Sequence, residues 1–333
     1  MVTVKRELLS AFCGCGGLDL GFEQAGFSTA LAYDRRPDAI SSWNRNRKEK
    51  NAKVRDVSLL DLETLDKDYG GEFAPIGIIG GPPCQGFSIA NRGGGSHDPR
   101  NSLVTVFFDL ALKLNARNSL NFIVMENVPN IQGSRGGGVL HDAVKLLESR
   151  NFIVSFHVLD AADYGVPQRR KRLFLVAYNK NVLERNQPWS IPDTKSKKKT
   201  VRDAIEHFPT PTVFSRGLGS IKNEYHENHW CMAPKSPKFF DGTLVEGYCE
   251  KRSFKTLWWD QPSYTASYGN REVHIHPSGE RRLSVYEAMT LQGFPKKFVL
   301  NGSMSSQITQ VSEAVPPPLA KAIALSIKTA LDD

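Results

Sequence analysis

Cys84 is the side chain of this sequence most suited to act as a nucleophile. It follows a short apolar run at 76–79 and a Gly-Gly-Pro-Pro segment at 80–83. The prolines fix φ and stiffen the segment, so we expect the thiol at the carboxyl edge of a sheet, where open α/β folds bind ligands. A thiolate is a strong nucleophile near neutral pH once its pKa is lowered. Taken alone, the same cysteine could also be a buried, unreactive thiol.

A carboxylate and a basic run could act on the same ligand. Glu126 ends the apolar run 122–125 and is followed by Asn127. In a partly desolvated pocket the pKa of a glutamate rises, and the group can donate a proton. Alternatively, Glu126 could have a structural role and accept hydrogen bonds from nearby backbone amides. Arg170 and Arg172 are two residues apart at the start of another apolar run, so they share one strand face. That run could equally be a solvated basic edge.

The segment at 12–17, Phe-Cys-Gly-Cys-Gly-Gly, separates the first predicted strand from the first predicted helix. Glycines in such a turn let the backbone approach a ligand at a helix N-terminus. Asp34 ends the next predicted strand roughly twenty residues later, where an acidic side chain can bind ribose hydroxyls. The combination predicts a nucleoside-bearing cofactor, and the G-x-G-G spacing favours one other than a dinucleotide. A purely structural turn is the alternative.

Alternating strands and helices must position these groups. The apolar runs predict strands at 7–12, 29–33, 76–79, 122–125, 153–159 and 173–178. Helical spacing predicts helices at 18–25, 37–46, 102–114, 140–149, 284–291 and 319–331. This alternation predicts an α/β fold with a doubly wound, mostly parallel sheet. Residues 185–280 lack a clear period, and we expect a smaller, irregular, β-rich domain there.

Composition limits the class of protein. The 333 residues carry a formal charge of +8, which suits a polyanionic partner but also occurs in proteins that bind no nucleic acid. No apolar run approaches the roughly 18 residues of a membrane span, and the first residues lack a signal-peptide pattern, so we expect a cytoplasmic protein. Five cysteines without paired metal-ligand spacing argue against a disulfide scaffold, and we expect no metal.

Several motifs, in this order, resemble those of the DNA cytosine-5 methyltransferase family across nearly the whole chain apart from about 180–255. The matching segments are the F-x-G-x-G-G loop at 12–17, P-C-Q at 83–85, E-N-V at 126–128, Q-x-R-x-R at 168–172, and the late helix and turn at 282–287 and 291–295. Three segments depart from the family pattern: Asn101 replaces a usual Gly at 98–103, Tyr286 replaces a common Arg, and Ser312-Glu313 replaces Gly-Asn in Q-x-G-N-A-V-P-P at 310–317.

The resemblance implies roles for individual residues. The implied catalytic residues are Cys84, Glu126, Asn127, Arg170 and Arg172. The implied contacts to the cofactor, S-adenosyl-L-methionine, are Phe12, Gly14, Gly16, Gly17, Asp34, Asp56, Pro82, Leu103, Glu313 and Ala314. Asp34 would bind the ribose, Asp56 the adenine amino group, and Glu313 would face the methionine ammonium group. The implied contacts to DNA or to the target base are Gln85, Ser88, Gln168 and Thr265.

The same resemblance implies the chemistry. Cys84 adds to carbon 6 of cytosine, protonated Glu126 donates to ring nitrogen 3, and Arg172 bonds the carbonyl at position 2. A methyl group passes to carbon 5, whose proton then leaves as Cys84 is expelled. The cytosine must be rotated out of the duplex to reach these groups. We expect the segment 85–101 to close over it.

The resemblance also divides the chain. It implies a Rossmann-like catalytic and cofactor-binding domain at 1–180 plus 308–333, and a small target-recognition domain at 181–307 that includes the late helix. Within the latter, base edges could be read by Arg252, Lys255, Asn270, Arg271 and His229. We expect a monomer that acts on double-stranded DNA, associates with the nucleoid, and serves as the modification enzyme of a restriction–modification system beside a separate restriction endonuclease.

Three alternatives stay open at this point. A tRNA cytosine-5 methyltransferase of the same family usually carries P-P-C-Q-P-F, whereas this chain continues with Gly86-Phe87-Ser88. A catalytically inactive DNA-binding homologue would tend to lose the nucleophile or the glutamate, and both Cys84 and Glu126 are present. A dinucleotide oxidoreductase would not need either group.

Overall fold

The computed structural model describes residues 6–83, 102–133, 137–183, 186–194, 197–214, 223–250, 253–265 and 274–332. Its main sheet has seven strands: β1 Glu7–Ala11, β2 Ser28–Asp34, β3 Ala52–Val54, β4 Gly77–Gly80, β5 Phe122–Asn127, β6 Phe152–Asp160 and β7 Lys171–Asn179. The helices are α1 Gly17–Gln24, α2 Pro37–Arg45, α3 Leu62–Tyr69, α4 Ser102–Arg117, α5 Gly137–Glu148, α6 Lys180–Leu183, α7 Val201–Ile205, α8 Val285–Leu291, α9 Met304–Glu313 and α10 Pro317–Asp332.

The strand order is β3-β2-β1-β4-β5-β7-β6. Strands β1 to β5 are parallel, whereas β7 pairs antiparallel with both β5 and β6. The predicted doubly wound, mostly parallel sheet is therefore confirmed. The chain order reverses between β1 and β4, and this switch point is where open α/β sheets bind ligands.

Apolar side chains cover the central strands on both faces, as buried parallel strands require. Alternate residues of β5 point to opposite faces: Ile123 and Met125 join one core, and Phe122 and Val124 join the other. The first core also contains Phe107 of α4, and the second contains residues of α1 and α10. Both cores hold the carboxyl ends of the strands in fixed register.

Helices α1 and α10 pack unusually closely because glycines line their contact. A Cβ on Gly21 would lie 2.3 Å from the Cβ of Ala320, and a Cβ on Gly17 would lie 2.3 Å from the carbonyl oxygen of Val315. These distances are far below van der Waals contact, so any side chain here would push α10 away. The close packing fixes the segment that leads into α10 against the start of α1.

The region after β7 contains short elements, as predicted. Strands β8 Thr212–Phe214 and β9 Trp230–Met232 pair in parallel, and β10 Cys249–Glu250 pairs antiparallel with β11 Ser253–Lys255. The late helix α8 begins with a capping box in which Ser284 and Glu287 bond each other's backbone N–H groups. Its buried residues share one apolar cluster with Cys15 of the glycine-rich loop and with Val311 of α9. The proposed domain boundary at 307/308 passes through this cluster and stays a prediction.

Within the described ranges, no helix has both the length and the apolar character needed to cross a membrane.

Candidate active site

A cavity lies at the carboxyl edge of the sheet, beside the switch point between β1 and β4. It is lined by residues that follow or end the parallel strands, including Asp34 at the end of β2, Gly81 after β4 and Glu126 on β5. The predicted cofactor residues that line it are Phe12, Gly14, Gly17, Asp34, Asp56, Leu103, Glu313 and Ala314. Gly16 and Pro82 lie outside this lining. The structure thus brings most of the predicted cofactor residues and the predicted catalytic glutamate to one cavity.

The glycine-rich loop is held in a conformation that few residues adopt. Phe12, Gly14 and Gly16 all have positive φ, at 56°, 57° and 87°. This region is strained for a phenylalanine, and such strain clusters at ligand sites. Asp34 fastens the loop, because its Oδ2 accepts a hydrogen bond of 3.0 Å from the N–H of Gly14 and its Oδ1 accepts one of 2.9 Å from the N–H of Arg36.

Gly16 contributes to packing rather than to the cavity wall. A Cβ at this position would lie 2.5 Å from Cδ1 of Trp43 and 2.9 Å from the guanidinium of Arg47. Arg47 stacks over the indole of Trp43 at 3.9 Å, and the indole N–H donates to the buried Asp19 at 3.0 Å. Burial raises the pKa of Asp19 to about 6. Asp19 lines the cavity and was not among the predicted site residues.

Asp56 contributes an ionised carboxylate to the lining of the cavity. Its Oδ1 accepts from both the N–H and the hydroxyl of Ser58, at 2.9 and 2.7 Å. These bonds lower the pKa of Asp56. The group caps a short 3₁₀ turn at Val57–Leu59 and stays exposed, so an amino group of a ligand could bond its second oxygen.

Glu126 is the buried carboxyl group of the site. It lies near the end of β5, where Nε of Arg172 is 2.9 Å from its Oε1. Burial raises the pKa of Glu126, and the charges of Arg172 and Arg170 oppose that rise. A Cβ on Gly81 would lie 3.0 Å from Oε2, so the backbone after β4 passes directly against the carboxylate. The arrangement suits a carboxyl group that gains and loses a proton.

Asn127 ties β5 to the segment that leads to the predicted nucleophile. Its Nδ2 donates to the carbonyl oxygen of Pro82 at 3.2 Å, and its Oδ1 accepts from the N–H of Val128 at 2.8 Å. Pro83 lines the cavity, and Cys84 is the next residue in the chain. The predicted residues Cys84, Gln85 and Ser88 lie outside the described residues.

The basic run before β7 alternates as its spacing predicts. Arg169 and Lys171 are exposed, whereas Arg170 is fully buried and Arg172 is largely covered. The Nη2 of Arg170 donates to the carbonyl oxygen of Ser312 at 2.7 Å. Because Ser312 lies in the last turn of α9, the cation meets the negative end of the helix dipole. Arg170 thereby links the glutamate side of the cavity to α9.

Gln168 and Thr265 lie together where the later region returns to the sheet. The N–H of Arg169 donates to the carbonyl of Ser263 at 2.8 Å, and the hydroxyl of Thr265 donates to the carbonyl of Arg169 at 2.7 Å. Gln168 is buried and bridges to Ser263. Thr265 is half-buried beside this short ladder.

Glu313 lies at the cavity wall, and its carboxylate is paired with the guanidinium of Arg36. Sequence reasoning placed this carboxylate against a cofactor ammonium group and missed Arg36, which also lines the cavity. No local signal connects the two residues, because they lie at opposite ends of the chain. Their contact depends on how α9 packs beside α2.

Other polar candidates have structural roles. Burial raises the pKa of the Cys15 thiol to about 12 and that of Cys13 well above its usual range, so neither is a ready nucleophile. Among the described residues, no group of three His, Cys, Asp or Glu side chains could hold a metal ion. His229 is one of the predicted contacts to DNA base edges. It is fully buried and forms hydrogen bonds with Ser284 and the carbonyl of Pro209.

The fold and this site define a class of enzyme. A family profile described as C-5 cytosine-specific DNA methylase matches residues 7–329, so the chain belongs to that family and is a DNA cytosine-5 methyltransferase. The predicted resemblance is confirmed.

Individual relatives match this chain over most of their lengths. A type II methyltransferase of Methanothermobacter thermautotrophicus, M.MthTI, is 31% identical over 99% of both chains. A type II methyltransferase of Arthrospira platensis, M.AplI, is 32% identical over 98% of this chain and 86% of its own. A prophage-encoded E. coli structure described as a DNA modification methyltransferase has 25% identity and a TM-score of 0.83 over 98% and 99% of the chains.

Proposed function

We propose that this protein transfers a methyl group from S-adenosyl-L-methionine to carbon 5 of a cytosine rotated out of duplex DNA, through a covalent bond to Cys84. One observation carries the proposal. The glycine-rich loop, Asp34, Asp56 and Glu126 line a single cavity together with Pro83, the residue that precedes Cys84.

The described residues fit the cofactor. The glycine-rich loop lets a ligand approach the backbone, Asp34 is oriented by two N–H donors, and Asp56 keeps a negative charge in the cavity lining. These groups suit ribose hydroxyls and an adenine amino group. When bound, S-adenosyl-L-methionine supplies an electrophilic methyl group. Leu103 and Phe12 give the cavity its apolar lining.

The other end of the cavity fits the base. The buried carboxyl of Glu126 can donate to ring nitrogen 3 when protonated, and Arg172 beside it can bond the carbonyl at position 2. Glu126 and Arg172 form one hydrogen-bonded pair, so a base that contacts the carboxyl group also lies beside the guanidinium. Asn127 holds the backbone of Pro82, and the positive charge of Arg170 favours the ionised form of Glu126.

The reaction balances as follows. The Cys84 thiolate adds its electron pair to carbon 6, and the charge that moves onto the ring is met by the proton that Glu126 gives to nitrogen 3. Carbon 5 then takes the methyl group from the sulfonium sulfur, whose S–CH3 bond breaks to leave S-adenosylhomocysteine as a neutral thioether. Loss of the carbon 5 proton to a base reforms the 5,6 double bond, and the sulfur leaves as thiolate. Glu126 recovers its proton from nitrogen 3.

The region 181–307 is proposed as the target-recognition domain, with Thr265 and Gln168 at its contact with the sheet. The relatives are named type II methyltransferases, which supports a role in restriction–modification with a separate endonuclease. We propose that the enzyme acts as a monomer on DNA in the cytoplasm. Its net charge of +8 favours a polyanionic partner.

Labelled S-adenosyl-L-methionine tests the proposal directly. The protein is incubated with duplex DNA or with tRNA, and modified positions are mapped by bisulfite sequencing. We expect label in DNA at one short recurring sequence and none in tRNA. Label in tRNA alone would overturn the DNA assignment. Duplex DNA with 5-fluorocytosine at the mapped position should trap a covalent adduct, and an adduct that persists with Cys84→Ala would exclude Cys84 as the nucleophile.

A further inference from the structure

Arg36 and Glu313 form an ion pair that joins two sides of the cofactor cavity. Arg36 is the residue before α2, and Glu313 is the last residue of α9. Their side chains are about one-third and one-half exposed, and both residues line the cavity. The pair therefore lies at the border between the cavity and solvent.

Arg36 also belongs to the group that fastens the glycine-rich loop. Its Nε lies 3.6 Å from Oδ1 of Asp34, and its N–H donates to the same oxygen. Asp34 in turn accepts from the N–H of Gly14. Burial lowers the pKa of Arg36, and the carboxylates of Glu313 and Asp34 more than offset that, so the guanidinium stays charged between them.

On the other side, α9 is already held by Arg170 through the carbonyl of Ser312, the residue before Glu313. The end of α9 is thus fixed from two directions, by Arg170 from the sheet and by Arg36 from the start of α2. This leaves the charge of the Glu313 carboxylate balanced within the protein. A cofactor ammonium group would have to displace Arg36 to use it.

We propose that Arg36 and Glu313 are positioning residues that form a strap across the cofactor cavity, and that Glu313 acts on cofactor affinity through Arg36 rather than by contacting the ammonium group. The inference rests on the proposed cofactor. A partly exposed ion pair adds little to folding stability. Its effect lies in holding Asp34 and α9 in the geometry that binds, which lowers the cost of ordering them on binding.

A double-mutant cycle tests the strap. The variants are Arg36→Gln, Glu313→Gln and the double variant. Calorimetry measures the Kd of S-adenosylhomocysteine and of 5′-S-(3-carboxypropyl)-5′-thioadenosine, which lacks only the amino group. We expect each single change to weaken both ligands by about three- to tenfold, and the double change to add nothing to the loss seen with Arg36→Gln alone.

A matched control uses a second ion pair of similar exposure. Arg45 in α2 pairs with Glu227 at 2.6 Å, and neither residue lines the cavity. Arg45→Gln should leave both Kd values unchanged. In the unaltered protein, raising NaCl from about 0.05 to 0.5 M should weaken S-adenosylhomocysteine more than in the double Gln variant, because salt screens a partly exposed pair.

Several outcomes would overturn the strap. Glu313→Gln that weakens S-adenosylhomocysteine but not the analogue without the amino group would show direct contact with the ammonium group. Additive losses in the double variant, or no loss at all, would show that the pair does not act as a unit. Failure of the unaltered protein to bind S-adenosylhomocysteine would instead refute the proposed cofactor.

Discussion

Nε of Arg172 lies 2.9 Å from Oε1 of Glu126, in a site where burial raises the pKa of that same carboxyl group. The two effects oppose each other: burial favours the neutral acid, and the guanidinium favours the carboxylate. A group balanced in this way can hold a proton and release it during one catalytic cycle.

Arg172→Gln should therefore raise the pKa of Glu126, because it removes the nearest opposing charge. The limb of the kcat/KM profile that reports loss of the Glu126 proton should move to higher pH, while kcat falls by about 10- to 1000-fold from the lost contact to the base. Single-turnover methyl transfer across a pH series measures both. Glu126→Gln is the control, because it should lack that limb altogether. An unmoved limb in Arg172→Gln would contradict the assignment.

Asn127→Asp should lower kcat without changing cofactor affinity. The aspartate keeps an oxygen for the N–H of Val128 but loses the donor to the carbonyl of Pro82, and the two acceptors then repel each other. The lost buried bond should lower the free energy of unfolding by about 1–3 kcal/mol. Urea unfolding and the Kd of S-adenosylhomocysteine separate the two effects. A lowered cofactor affinity with unchanged kcat would show that Asn127 does not position the segment at 80–83.

Lowering the pH should destabilise the region 181–307 at pH values above those at which the carboxylates take up protons. Burial lowers the pKa of His274 and of His276 to about 4, whereas an unfolded histidine titrates near 6.5. Between these values the unfolded chain binds more protons, so stability is fully present above about pH 6.5 and falls as the pH drops towards 4. We expect a loss on the order of 1–2 kcal/mol per histidine by about pH 5.

His276→Asn should remove part of that pH dependence. The N–H of Ser278 donates to Nδ1 of His276 at 3.2 Å, and an asparagine oxygen can accept the same bond without titrating. Trp259, whose ring lies 5.1 Å from the His276 ring, gives a local fluorescence signal for urea unfolding at several pH values. An unchanged slope in His276→Asn would assign the acid sensitivity to other groups.

Gly21→Ala should destabilise the protein even though alanine is the better helix former. The new methyl group would overlap Ala320 and force α10 away from α1, at a cost of about 1–3 kcal/mol. Gly71→Ala is the matched control, since nothing lies within 4 Å of its added Cβ. Thermal unfolding of the two variants compares them. Equal melting temperatures would show that the two helices can separate at no cost.

Most of the sheet could be predicted from the sequence because its strands are continuous apolar runs ended by Gly, Pro or acidic residues. The sequence did not reveal the antiparallel position of β7 between β5 and β6, since strand order depends on pairing through space. It also missed β3, α3 and α9, whose short or polar sequences carry a weak periodic signal.

For the site, too, the sequence predicted what depends on local patterns and missed what depends on contacts through space. Residues in motifs, such as Asp34 and Glu126, line the cavity because their positions depend on strand ends, and their roles stay predictions. Tyr286 and His229 could not be interpreted from sequence: the Tyr286 ring stacks on His226 at 3.8 Å and on Phe208 at 5.1 Å, and His229 is buried beside this group. Such packing brings together residues from segments far apart in the chain, which spacing cannot show.

The close contact of α1 with α10 has a consequence for how the enzyme is made. A ribosome synthesises α10 long after α1, so the helix that follows the glycine-rich loop packs against the strands but lacks its helical partner while most of the chain emerges. The region 181–307 is complete before that partner exists. We expect a nascent chain to be unable to hold its cofactor, so that modification of DNA begins only once translation has passed through α10.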